Sequence, residues 1–286
     1  MSNLRFTLLQ IIKLARVQNL AIIIISQYFT ALFIAKNDVS AYSVLIDLEL
    51  FLLILSTVII ASAGYFINDY YDIKIDMINK PNKVIVGNKL ERRPVLIWHS
   101  IYNFIGIGIG AYISIWIGLI NLFAAFLLWL YSNQLKRMPL IGNLSVSILT
   151  GLSVLSIAVY YRTNEYLIFI YAFFAFGISL IREIIKDIED MKGDEVFGCR
   201  SLPIVYGILK TKLLLYGFIL SFGFSISLFL GYQSNYILNL YFLILILPSV
   251  YFIYLLYKAD RVIHFSHLST YCKWLMLSGV LSMIFI

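Results

Sequence analysis

Six aspartates fall into two clusters that share one spacing. The first cluster is Asn68-Asp69-Tyr70-Tyr71-Asp72-Ile73-Lys74-Ile75-Asp76. The second is Lys186-Asp187-Ile188-Glu189-Asp190-Met191-Lys192-Gly193-Asp194, which puts each matching pair of aspartates 118 residues apart. On a helix, positions i, i+3 and i+7 fall within an arc of roughly 60°, so each cluster is expected to aim its carboxylates one way. Each cluster also closes a long apolar run, where acidic groups are expensive to place. Repelling carboxylates in that setting make most sense around divalent cations and a phosphate-bearing ligand, with Mg²⁺ the expected ion. The candidate ligands are Asp69, Asp72, Asp76, Asp187, Asp190 and Asp194, with Asn68 as a neutral oxygen donor or a brace for Asp72. Glu189 lies off the arc and reads as a solvated charge.

The elements that must position these clusters are membrane helices. The chain has 286 residues, is 61% hydrophobic and only 13% charged, whereas a soluble domain is nearer a quarter charged. Apolar runs of about 20 residues, enough to cross hydrocarbon, predict nine helices over 14–35, 47–67, 95–113, 117–134, 141–160, 165–184, 211–231, 236–257 and 268–286. The boundary between the third and fourth is the least marked, since 114–120 offers only Gly118 and Asn121 as turn signals. The fold class expected is an all-α polytopic membrane protein, with a single domain over residues 1–286 and no polar linker. The longest loops, 77–94 and 195–212, each follow an aspartate cluster and carry glycine and proline. The 118-residue offset covers four helices. An even number preserves orientation, so the halves read as a parallel internal repeat that brings both clusters to one membrane face.

Net charge is +7, yet its placement argues against nucleic acid. Twenty lysines and arginines lie on the N-terminal side and in loops of the same face, Arg5 among them, and only Lys36 and Arg162 fall on the other. That asymmetry puts the N-terminus and both clusters in the cytoplasm and the C-terminus outside, in the plasma membrane. The first apolar segment has a basic preface but no small-residue cleavage site, and it reads as a retained helix. Cys199 and Cys272, and His99, His264 and His267, show no metal-ligand spacing.

The paired motifs Asn68-Asp69-x-x-Asp72-x-x-x-Asp76 and Asp187-x-x-Asp190-x-x-x-Asp194 resemble those of the UbiA superfamily of intramembrane prenyltransferases. The resemblance implies a helical bundle whose apolar cavity ends at a polar mouth, where Mg²⁺ holds a prenyl diphosphate. Asp72 and Asp190 are then the residues expected to be central to catalysis. Tyr131-Ser132-Asn133-Gln134-Leu135-Lys136-Arg137 is similar to the family's basic segment, so Tyr131, Lys136 and Arg137 are expected at the diphosphate, with Lys80, Lys83, Arg182, Lys186 and Arg200 flanking the motifs. Arg16-Val17-Gln18-Asn19 is similar to a family element whose Asn faces the cavity, making Asn19 a further candidate. Tyr70, Tyr71 and Tyr131 are the aromatic rings placed near the mouth, where a developing allylic cation needs electron-rich walls. Lys83 stands where the family often has Arg, giving a point charge in place of a planar fork.

Within the superfamily, Arg182 to Asp194 followed by Ser201-Leu202-Pro203-Ile204 looks most like the enzymes that transfer geranylgeranyl to geranylgeranylglyceryl phosphate in ether-lipid synthesis. The alternative is prenylation of an aromatic acceptor of the 4-hydroxybenzoate, homogentisate or naphthoate type in quinone synthesis. A cation-coupled transporter would place its acids near mid-membrane, not at helix ends. A CDP-alcohol phosphotransferase needs Asp-Gly and Ala-Arg pairs that these clusters lack.

Overall fold

The computed structural model describes residues 9–35 and 40–286. Arg5 and Lys36, two of the cations in the charge asymmetry, lie outside the described residues. Among the described residues nine helices are long and apolar enough to cross a membrane. They are α1 (Val17–Thr30, continuing as a π-helical turn over Ala31–Ala35), α2 (Leu48–Tyr71), α3 (Arg92–Ile113), α4 (Ile115–Asn133) and α5 (Ile141–Tyr161), then α6 (Tyr166–Val196), α7 (Leu202–Tyr232), α8 (Tyr236–Lys258) and α9 (Val262–Leu281). The chain is an integral membrane protein.

Short polar side chains start several of these helices by accepting otherwise orphaned N–H groups. Asp47 accepts from Glu49 and Leu50 at the head of α2, and Asn235 accepts from Leu238 at the head of α8. The turn between α3 and α4 is one extended residue, Ser114, whose hydroxyl accepts from Trp116. The turn signals expected there belong instead to the helix interior. Gly118 lets α4 pack onto the backbone of Ala111. Asn121 is buried and donates to Ser56 and to the Gly106 carbonyl, tying α4 to α2 and α3.

The helices run further on the cluster face than the apolar pattern foretells. The second predicted helix ended at 67 and the sixth at 184, whereas α2 reaches Tyr71 and α6 reaches Val196. The seventh was expected from 211, but α7 begins at Leu202, and most of the loop predicted over 195–212 is helical. Hydropathy marks where hydrocarbon ends, not where backbone hydrogen bonding must end. Gly207, at φ +82°, absorbs the bend that lets α7 start so early.

The central element is α6, which packs against α5, α7, α9 and the short helix Ile73–Asn79. Ile184, Ile185, Leu215, Leu256 and Cys272 form the tight core between α6, α7, α8 and α9. Large apolar side chains on α7 and α8, such as Leu220 and Leu247, point outward, as a lipid-facing surface requires. Inside the bundle the buried Gln27 amide of α1 donates to Thr57, Ser156 and the Ser153 carbonyl, satisfying polar groups that water cannot reach.

Candidate active site

The first cluster does not lie on one helix. Asp72 terminates α2 with φ −87° and ψ 2°, and a second short helix, Ile73–Asn79, follows. The single 60° arc expected for Asp69, Asp72 and Asp76 is therefore replaced by a corner. Asp69 turns to α1 and accepts from Arg16 at 2.6 Å, while the Arg16 guanidinium also sits 4.8 Å from the ring centre of Tyr65. Asp72 is buried and accepts from the Asn68 amide at 2.8 Å and from the Lys136 ammonium. Asn68 thus braces Asp72 through its nitrogen.

The second cluster does lie on one continuous helix, α6, two turns beyond where its apolar run stops. Asp187 accepts from Asn143 at 2.9 Å, and Asp190 pairs with Lys80 at 2.7 Å. Glu189, expected to be solvated, is only 8% exposed and pairs with the same Lys80 at 3.1 Å. The reason is that the short helix Ile73–Asn79 covers that side of α6. Asp194 is buried, and its Oδ1 has no hydrogen-bond partner.

Asn79 joins the two clusters. Its amide donates to the Asp190 carbonyl and accepts from the Gly193 N–H, each at 2.8 Å. A Cβ on Gly193 would come within 2.6 Å of the Asn79 amide nitrogen. We expect Gly193→Ala to displace Asn79, break both bonds and lower kcat/KM about tenfold to a hundredfold. Hydrogen exchange should quicken over 73–79 while the spans stay protected. Unchanged exchange there would show that Asn79 does not hold the clusters together.

The electrostatics of the mouth follow from crowding. Burial, and then the nearby Asp72, pushes the Asp76 carboxyl up to about 6 against the pull of Lys136. Burial works to lower the Lys136 and Lys80 ammonium groups, but Asp72 and Asp190 respectively outweigh it and raise both. The carboxylate oxygens, with a buried Asp194 Oδ1 that has no hydrogen-bond partner among the described residues, suit a hard divalent ion. No three acidic, His or Cys side chains among the described residues converge on one point.

Behind the mouth lies a cavity between α1, α2, α4, α5, α6 and α9. Its upper wall carries Arg16, Asn19, Tyr65, Asn68, Tyr131, Arg182, Glu183, Lys186 and Lys273, and its depth is mostly apolar, with Ile22, Ile60, Leu128, Leu149 and Met276 beside the hydroxyls of Thr57, Thr150, Ser153 and Ser179. Of the residues expected to bind substrate, Asn19, Tyr131, Arg182 and Lys186 line this cavity, and Asn19 donates to the Tyr65 hydroxyl at 3.1 Å. Lys136 stands at the mouth on Asp72. Lys83, Arg137 and Arg200 are exposed and outside the lining, and Arg200 meets Arg137 through its backbone N–H. Tyr70 and Tyr71 are also outside it, because Tyr70 lies against Arg92. The rings that do face the cavity are Tyr65 and Tyr131.

Lys80, expected among the cations that flank the motifs, does meet the second cluster, whereas Arg16, Glu183 and Lys273 are site residues outside the sequence-based expectation. Glu183 is buried between Arg182 (2.7 Å) and Lys186 (3.1 Å). A carboxylate and an ammonium inside the apolar runs of α6 and α9 were signals in themselves, since charges at membrane depth are rarely idle.

Residues 24–268 match the model of the UbiA prenyltransferase family. A digeranylgeranylglyceryl phosphate synthase of Methanosphaera stadtmanae is 38% identical over 211 residues, covering 74% of this chain and 76% of that one. The enzyme of the same name from Methanococcoides burtonii is 31% identical, covering 88% and 90%. A solved digeranylgeranylglyceryl phosphate synthase superimposes with a TM-score of 0.70 at 26% identity, over 99% of this chain and 98% of that one. A UbiA homologue from Archaeoglobus fulgidus bound to GPP and Mg²⁺ shares the fold, with a TM-score of 0.65 at 14% identity over 96% and 99%. With its paired aspartate clusters closing a helical cavity, the chain belongs to the UbiA prenyltransferase family.

Proposed function

We propose that this membrane prenyltransferase moves a geranylgeranyl group from its diphosphate to the hydroxyl of geranylgeranylglyceryl phosphate, releasing diphosphate, with Mg²⁺ as the metal. The observation that carries the reading is the joining of both acidic clusters by Asn79 and Lys80 at the head of a cavity whose depth is mostly apolar. Such a shape suits a ligand with an anionic head and a long apolar tail. The relatives named digeranylgeranylglyceryl phosphate synthase support this acceptor.

Asp76 and Asp194 are the carboxylates best placed to hold metal, since among the described residues Asp76 has no ion pair and the buried Asp194 Oδ1 has no hydrogen-bond partner. Asp72 and Asp190 complete the acidic set, each already tied to a lysine. A divalent ion bound there would neutralise diphosphate oxygens and make them a better leaving group. Lys136 and Lys80 keep two further positive charges beside the departing diphosphate. Tyr65 and Tyr131 supply ring faces to the allylic centre as it gains positive charge. The apolar depth holds the tail and keeps water from the cation. The charge asymmetry supports a cytoplasmic mouth in the plasma membrane.

The test is transfer from radiolabelled geranylgeranyl diphosphate by the full chain in nanodiscs, with geranylgeranylglyceryl phosphate and 4-hydroxybenzoate offered in parallel. Transfer to the glyceryl phosphate, abolished by EDTA and restored by Mg²⁺, is expected. Transfer to the aromatic acid alone would overturn the acceptor and keep the site.

A further inference from the structure

The cavity holds more positive charge than its own carboxylates match. Arg182, Lys186 and Lys273 line it beside a single acid, Glu183, while Arg16 is already matched by Asp69. Lys273 comes from α9, within electrostatic reach of Arg16, Arg182, Lys186 and Glu183, and has no carboxylate at ion-pair distance among the described residues. The Arg182 Nε–H is fully buried and has no hydrogen-bond partner. Burying an unpaired donor or charge is costly unless something completes it.

These groups are not part of the metal mouth. Glu183 precedes Asp190 by seven residues on continuous α6, which is about 10 Å of helix axis. Arg182, eight residues before Asp190, therefore sits about two turns under the acidic rim, and Lys186, four residues before it, about one turn. Two uncompensated positive charges there suit a phosphomonoester, which carries about −1.5 to −2 at neutral pH and three acceptor oxygens. A neutral or singly charged aromatic acceptor would leave part of that charge exposed in the cavity.

We propose that Arg182, Lys186 and Lys273 form a metal-independent site for the phosphate of the acceptor lipid, separate from the metal-dependent site of the donor diphosphate. This rests on the function proposed above and adds the means of selecting the acceptor. With the diphosphate at the rim and the phosphate one to two turns below it, the glyceryl hydroxyl, a few bonds from its own phosphate, lies between the two anionic groups, where the allylic carbon emerges. Glu183 fixes Arg182 and Lys186 in place and limits the site's excess charge to what one phosphate can match.

The test separates binding from transfer. Full-length protein in nanodiscs, stripped with EDTA, is titrated with tritiated geranylgeranylglyceryl phosphate and with geranylgeranylglycerol, which lacks the phosphate. Wild type should bind the phosphorylated lipid at least tenfold more tightly. Lys273→Gln should erase most of that preference, and Lys273→Arg should restore it. Mg²⁺-dependent binding of geranylgeranyl diphosphate should be the same in all three proteins, which also shows that the variants are folded. The proposal fails if the two lipids bind alike, if the phosphorylated lipid needs Mg²⁺ to bind, or if Lys273→Gln weakens the donor and not the acceptor. The last result would assign the cations to the diphosphate. Wild-type transfer to 4-hydroxybenzoate in place of the glyceryl phosphate would sink the acceptor reading itself, a result independent of these titrations.

Discussion

Asp72→Ala and Asp190→Ala are each expected to lower kcat/KM for prenyl transfer about a thousandfold or more. Loss of metal-assisted charge neutralisation at a leaving diphosphate removes several kcal/mol of transition-state stabilisation, and about 4 kcal/mol is a factor of a thousand. Each substitution also frees a lysine. Without Asp72 the buried Lys136 loses its carboxylate, and without Asp190 Lys80 keeps only Glu189. A freed lysine could pair with the diphosphate directly, so binding alone is a poor readout. The diagnostic quantity is the Mg²⁺ dependence of donor binding, which should flatten in both variants. Either variant retaining a tenth of wild-type transfer would remove its cluster from the reaction.

Asp76→Asn should stop turnover and, at the same time, make the metal-free protein more stable. The Asp76 carboxyl is pushed up to about 6 by burial and by Asp72, against an ordinary value near 3.8. The folded state therefore binds this proton more readily than the unfolded chain does. Stability at this group is gained as pH falls from about 6 towards 4, and the ionised carboxylate costs stability above pH 6. A neutral amide avoids that cost, which is on the order of 1–3 kcal/mol. In EDTA at pH 8 the melting temperature should rise by several degrees, and near pH 3.5, below the ordinary carboxylate value, the gain should largely vanish. An equal gain at both pH values would mean that the amide acts through packing and not through charge. Destabilisation at pH 8 would show that Asp76 is not a strained anion.

The fold was legible because hydrocarbon imposes a plain rule: about 20 apolar residues per crossing, with every backbone group satisfied inside the helix. Nine such runs could be read directly, and all nine spans end within two residues of expectation at their distal ends. The errors gathered at the cluster face. There α2, α6 and α7 extend into water, where helix continuation depends on side-chain partners and not on hydropathy. The same blindness misplaced Glu189, whose burial comes from a helix contributed by a loop more than a hundred residues away.

Family, reaction class and the acidic residues were thus set by the sequence alone, because a carboxylate beside an apolar run carries its own explanation. Which carboxylate meets which cation was decided only by tertiary structure. Asp69 goes to Arg16, Asp72 to Lys136 and Asp190 to Lys80, at sequence separations of 53, 64 and 110 residues that no local pattern encodes. The break at Asp72 is equally tertiary in effect, since it turns Asp76 and Asn79 onto α6. Lys273 shows the same limit. On its own helix it is a single charge among apolar neighbours, and it becomes part of a cationic site only when α9 packs against α6.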